Sequence, residues 1–250
     1  MARLVAVLLA AILVTTAFAA GPEARAAVEA LVSRAAGVEV SDLVVHQTLT
    51  LYHPDGLHPQ SSGEQRMYLK LPRRQRVEQV VDGERDVRLS VGDRVWIRQR
   101  DGRTFEAPQA DQQRDRTHLL VPFRRKASDV LAEWRSLGVR DDVTQTVQVG
   151  GRPVTIIGAA AGDRTSPAVW LDGEFGVVRV ITRERLPKGE ALVDLAYSDH
   201  RPLLGGFFFP YRQEAFVGGK LIVLIIVKSV AVNTNLPDAL FDPEALKAGR

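Results

Sequence analysis

The chain contains no cysteine among its 250 residues. No disulfide can form, and none is needed, because a chain of this length buries a core without cross-links. A lipoprotein-type acyl anchor also requires a cysteine, so the chain is not expected to carry one. Catalytic signatures are missing too. There is no His-Glu-x-x-His, no Gly-x-Ser-x-Gly and no phosphate loop. The five histidines are His46, His53, His58, His118 and His200. His53 and His58 flank Pro54-Asp55-Gly56 and read as a turn rather than a metal site. Asp199-His200-Arg201 sits in a polar turn with no nucleophile motif nearby. Asp141-Asp142 follows a helix end and is predicted to be solvent-exposed. The sequence therefore predicts no enzyme, no catalytic residue, no cofactor and no metal.

Charge of one sign is scarce as well. The net charge is +3, and the 33 basic and 30 acidic residues are interspersed. This balance favours solubility and gives no nucleic-acid footprint. The densest basic stretches, Arg73-Arg74-Gln75-Arg76 and Arg124-Arg125-Lys126, lack interleaved aromatics and read as solvated faces. Beyond the N-terminus the longest apolar run is Leu221 to Val227. It is far short of the ~20 residues that a membrane helix needs. It reads as a central strand covered on both faces, or as one whose outer face meets a partner.

What is present begins with residues 1–19. Arg3 supplies a positive charge, Leu4 to Val14 is apolar, and Thr15-Thr16-Ala17-Phe18-Ala19 ends in small residues. This is the layout of a cleaved secretory signal, with the cut after Ala19. Residues 20–250 are then expected to form one soluble domain outside the cytoplasm, of about 230 residues.

Within that domain, Pro22 to Ala36 reads as a helix, started by Pro22 and stopped by Gly37. A second helix runs from Ala127 to Leu137, with Val130, Leu131, Trp134 and Leu137 on one face. About eleven strands surround them, turning at Asp82-Gly83, Gly92-Asp93, Gly150-Gly151 and Gly218-Gly219. Thr104 to Arg116 reads as a loop, and Pro237 to Phe241 as a short closing turn. The pattern is an antiparallel meander, so the fold class is mainly β. Two amphipathic helices are too few to cover so many strands laid flat. A strongly curved sheet, an incomplete barrel with the helices as a lid over its mouth, solves this and leaves an apolar concavity.

The apolar parity of the strands gives the candidate wall: Leu49, Leu51, Met67, Leu69, Leu71, Val87, Leu89, Val95 and Ile97. The lid-side candidates are Leu31, Val32, Val130, Leu131 and Trp134. Met67 suits adaptable packing against acyl chains. Period 2 places Trp96 on the face opposite Val95 and Ile97, as a structural anchor.

Several segments resemble the LolA-like proteins, periplasmic carriers of lipoproteins. Met67-Tyr68-Leu69-Lys70-Leu71-Pro72 resembles their strand and Lys-x-Pro turn. Ser90-Val91-Gly92-Asp93-Arg94-Val95-Trp96 resembles their next hallmark, and His118 to Trp134 falls where the family has its middle helix. Lys228 to Pro243 resembles the final strand and Phe-x-Pro closure. The resemblance implies a half-barrel with a helical lid. It also implies binding of acyl chains of a lipoprotein or another lipid in the periplasm, outer-membrane biogenesis as the setting, and a chaperone-like role. The implied partners are an inner-membrane releasing complex and an outer-membrane acceptor; nucleic acid is not among them. Relatives that sense envelope stress imply the alternative, an interaction module without cargo. One departure stands out: Leu71 occupies the position of the arginine that latches the LolA lid.

Overall fold

The computed structural model describes residues 21–107, 120, 122–186 and 189–249. The expected signal segment, His118 and most of the expected loop lie outside these residues. The chain runs α1 (Pro22–Ala36), β1 (Asp42–Tyr52), β2 (Pro59–Lys70), β3 (Arg74–Val81), β4 (Glu84–Val91), β5 (Arg94–Arg98) and β6 (Thr104–Glu106). It continues through α2 (Ala127–Ser136), β7 (Thr144–Val149), β8 (Arg152–Ile157), β9 (Ala168–Asp172), β10 (Gly176–Leu186) and β11 (Gly189–Pro202). β12 (Phe208–Val217), β13 (Lys220–Val232), a 3-10 turn (Asp238–Phe241) and α3 (Pro243–Lys247) complete it.

All the strands belong to one curved, unclosed antiparallel sheet, ordered β6-β5-β4-β3-β2-β1-β13-β12-β11-β10-β9-β8-β7. Two meanders, β1–β6 and β7–β13, join where the last strand pairs with the first. The open edges are therefore β6 and β7. In sequence, α2 falls between these two edge strands. Local chemistry sets the tight turns. Asp82-Gly83, Gly150-Gly151 and Gly218-Gly219 all take positive φ, which two-residue hairpins of the I′ type require.

Three expectations are corrected. The described residues form thirteen strands rather than about eleven, partly because Thr104–Glu106 is a short edge strand and not loop. The polar composition of that segment hid it, since an edge strand needs no apolar alternation. Asp141 is buried rather than exposed: Arg135 pairs with it at 2.6 Å, and its carbonyl accepts from the Gly21 amide at 3.1 Å. Finally, β13 is central in the sheet, yet Ile226 on its outer face is 37% exposed.

Apolar side chains pack on both faces. The face that carries α1 and α2, here the inner face, holds the main core. On the outer face, Leu236, Phe241 and Leu246 of the C-terminal segment cover Val87, Leu89 and Trp96.

The β9–β10 turn is a further anchor on the other half. Asp172 is buried, accepts both arms of Arg152 at 2.7 and 2.8 Å, and accepts the amides of Glu174 and Phe175. Phe175 stacks parallel on His200 at 4.7 Å. Burial pushes the His200 imidazole below its ordinary value of 6.5, against the pull of Asp172 and Asp199 and with help from Arg152. The unfolded chain therefore takes up the proton first as pH falls. The stability from neutral His200 is complete above about 6.5 and is lost below it. Thermal melts should show a decline from about pH 7 to pH 5 that shrinks in His200→Phe. An identical decline in the variant would rule out His200 as its source.

Candidate functional site

The inner face is built by parity. On β1 the odd positions Leu43, Val45, Gln47, Leu49 and Leu51 face inward, and register carries this across the sheet. Val45 lies opposite Met67, and Met67 opposite Val77. On the far side of β1, Val45 pairs with Val230 and Gln47 with Val227. Two helices rest on this surface. α1 buries Ala24, Val28, Leu31 and Ala35, at helical spacing. α2 buries Val130, Leu131 and Trp134. α1 is also tied at both ends. Thr144 donates to Glu23 at 2.5 Å, and Arg34 donates to the Glu174 carbonyl at 2.7 Å.

The structure brings much of the predicted set together. Met67, Leu69, Leu31, Val130, Leu131 and Trp134 share one core cluster, with Leu71 and Val32 packed against it. The lid side is tightly filled: Trp134 is 1% exposed and Leu131 2%. Leu49 and Leu51 continue the inner face beyond that core, beside Ile225 and Val223. Val95 and Ile97 face inward near the β6 edge, where Ile97 pairs with Phe105. Trp96 faces the other way, among the outer cluster.

Val87 and Leu89 are corrected. They lie on the outer face with Trp96, Leu236, Phe241 and Leu246, and so are not part of the wall. The physical reason is that β4 has the opposite apolar parity, since its apolar side is the one the C-terminal segment covers. Its inward residues are Ser90, Arg88 and Asp86, by their pairing with Gln75, Val77 and Gln79.

Sequence reasoning missed two features of the inner face. One is aromatic: Phe123, Phe207, Phe209 and Tyr197 join the core, with Phe123 and Phe207 rings 4.8 Å apart. The run Phe207-Phe208-Phe209 was a signal for it. The other is a row of amides. Gln47 donates to Gln65, which donates to Gln79 at 3.2 Å, across β1, β2 and β3. Gln47 Oε1 and Gln213 Nε2 are buried without a hydrogen-bond partner among the described residues. A search for apolar parity cannot find polar residues that face the core. The surface is thus aliphatic and aromatic under the helices, and mixed aliphatic and amide beyond them. No described residue set on it offers a nucleophile–base arrangement.

An open, curved antiparallel sheet that holds a helix pair against its inner face is the LolA-like fold. No protein-family model matches the sequence, and no curated protein does. Among solved structures, the chain is similar to a domain from Vibrio parahaemolyticus provisionally described as an outer membrane lipoprotein-sorting protein domain. The TM-score is 0.58 at 14% identity, covering 90% of this chain and 99% of that one. It is similar to a DUF1329 family protein from Desulfovibrio piger, with a TM-score of 0.58, 12% identity and coverage of 91% and 100%. A LolA superfamily protein from Nitrosomonas europaea gives 0.55 at 12% identity, covering 88% and 97%. At such identities these likenesses establish the fold.

Proposed function

We propose that this protein is a periplasmic carrier that shelters acyl chains against the inner face of its half-barrel and moves a lipoprotein or another lipid between envelope membranes. The observation that carries this reading is the inner face itself: an unclosed curve lined by aliphatic and aromatic side chains, with a helix pair packed on it. The Vibrio parahaemolyticus domain's description as lipoprotein-sorting supports it. Met67, Leu69, Leu71, Leu49 and Leu51 then contact cargo from the wall, with Val95 and Ile97 at the rim. Leu31, Val130, Leu131 and Trp134 contact it from the helices. Residues 1–19 direct export, and no helix of the described residues is long and apolar enough to cross a membrane.

Burying acyl carbons is worth ~0.8 kcal/mol per CH₂, so a long chain enters spontaneously. Because Trp134 and Leu131 are packed on the sheet, entry requires the helices to lift. Release then requires a partner that lifts them again or competes for the chains. Leu71 leaves the family's latch position without its arginine. Leu71→Arg is expected to slow release of a fluorescent fatty-acid probe; unchanged release would remove the latch argument.

The same tight packing favours a second reading, an envelope interaction or stress-sensing module that carries no cargo. Native mass spectrometry of protein purified gently from the periplasm, followed by organic extraction, separates the two. A stoichiometric lipid or acylated peptide supports the carrier and names its cargo. A clean apo mass with no uptake of the fatty-acid probe supports the interaction module.

A further inference from the structure

A second feature lies on the opposite face of the sheet. β3, β4 and β5 present Arg76, Arg85 and Arg98 outward, by their pairing with Leu89, Val80 and Val87. Together with Arg100, Leu246 and Gly249 they line a partly open cleft of about 210 Å³ beneath α3.

The charges in this cleft do not balance. Arg76 and Arg85 share one carboxylate, Glu78, at 2.7 and 2.9 Å. Arg100 pairs with Glu84. Arg98 has no carboxylate partner among the described residues; its Nη1 donates to the Leu246 carbonyl at 2.8 Å, and its Nε and Nη2 are unspent. Four guanidiniums thus face two carboxylates. Arg76 also donates to the Leu240 carbonyl at 3.2 Å, so Arg76 and Arg98 each hold the C-terminal segment through one donor, while the surplus of positive charge is left over.

We propose that this cleft binds a phosphate group. The guanidinium fork matches phosphate oxygens in pairs, with charge-assisted hydrogen bonds. Two uncompensated positive charges match the about −1.5 to −2 of a phosphomonoester near neutral pH. The group is either free phosphate or the terminal phosphate of a lipid headgroup. The site is on the face away from the proposed cargo surface and does not depend on the carrier reading.

The test uses the full chain with inorganic phosphate in calorimetry, and with phosphatidylcholine vesicles with and without phosphatidic acid in co-sedimentation. Binding of either probe is expected to weaken about tenfold in Arg98→Ala and severalfold in Arg100→Ala. Arg73→Ala, which removes an exposed arginine paired with Asp93 outside the cleft, should leave binding unchanged. Circular dichroism checks that each variant is folded. If Arg98→Ala is not, the exposed Arg100 decides. Phosphate binding without vesicle binding assigns the site to free phosphate. Vesicle binding that needs phosphatidic acid assigns it to a headgroup. The proposal is overturned if neither probe binds, or if Arg73→Ala weakens binding as much as the cleft variants do.

Discussion

Replacing Trp134 with alanine is expected to destabilise the protein by about 3–5 kcal/mol. The residue is fully buried, on the face of α2 that meets α1 and the inner sheet. Removing it deletes the largest fully buried side chain among the described residues and leaves a cavity between α2, α1 and the sheet. That is a large share of a typical domain's stability, since the total is about 5–15 kcal/mol. The indole Nε1–H is buried without an acceptor among the described residues. Trp134→Phe removes that unpaired donor while keeping much of the ring, so it should cost clearly less than the alanine change. Denaturant titration of both variants checks this. A Trp134→Ala loss below about 1 kcal/mol would mean that the helix pair is loosely held, contrary to its packing.

Asp42→Ala is expected to cost about 3 kcal/mol, because it leaves several donors unpaired at once. Asp42 is 1% exposed at the start of β1. Its carboxylate accepts the Thr234 amide and hydroxyl at 2.7 Å each, the Asn235 amide at 3.0 Å and the Ser41 hydroxyl at 3.0 Å. These bonds hold the turn where the chain leaves β13. Asn233 and Asn235 there take φ of 56 and 60, which asparagine tolerates better than most residues. From this turn the C-terminal segment crosses the outer face to cover Leu89 and Trp96. Losing the clamp should expose residues beyond Asn233 to limited proteolysis while the sheet persists.

Acid provides a second readout of the clamp. Burial alone would raise the Asp42 carboxyl, but its bonds from Thr234, Ser41 and the Leu236 amide together hold it below its ordinary 3.8. A lowered carboxylate contributes stability that is complete above about 3.8 and is lost as pH falls through the folded value. Asp42→Asn should lack that part of the acid transition. Wild-type and variant melts with the same slope below pH 4 would sink this assignment.

The readings that succeeded share a physical basis. α1 and α2 were legible because Val28, Leu31, Val130 and Trp134 recur at helical spacing between clear start and stop residues. The hairpins were legible because Asp-Gly and Gly-Gly pairs supply positive φ locally, whatever surrounds them. Parity along one strand was legible too, so Trp96 was placed opposite Val95 and Ile97. The relation of one strand's parity to the next was not. Val87 and Leu89 look like Met67 and Leu69 in sequence, yet they face the other side.

By itself, the sequence determined the helices, the turns, the mainly antiparallel architecture and the alternation within each strand, since all of these follow from interactions between near neighbours. Only the tertiary structure decided which side of each strand is inside. That choice depends on what covers it: α1 and α2 on one face, the C-terminal segment on the other. It also decided the fate of polar residues. Asp141 is buried because Arg135 reaches it, Gln47 faces inward because Gln65 and Gln79 stand beside it, and four arginines between residues 76 and 100 converge because β3, β4 and β5 are paired in register. The amide row and the arginine cluster are contacts between strands that meet only when the sheet forms.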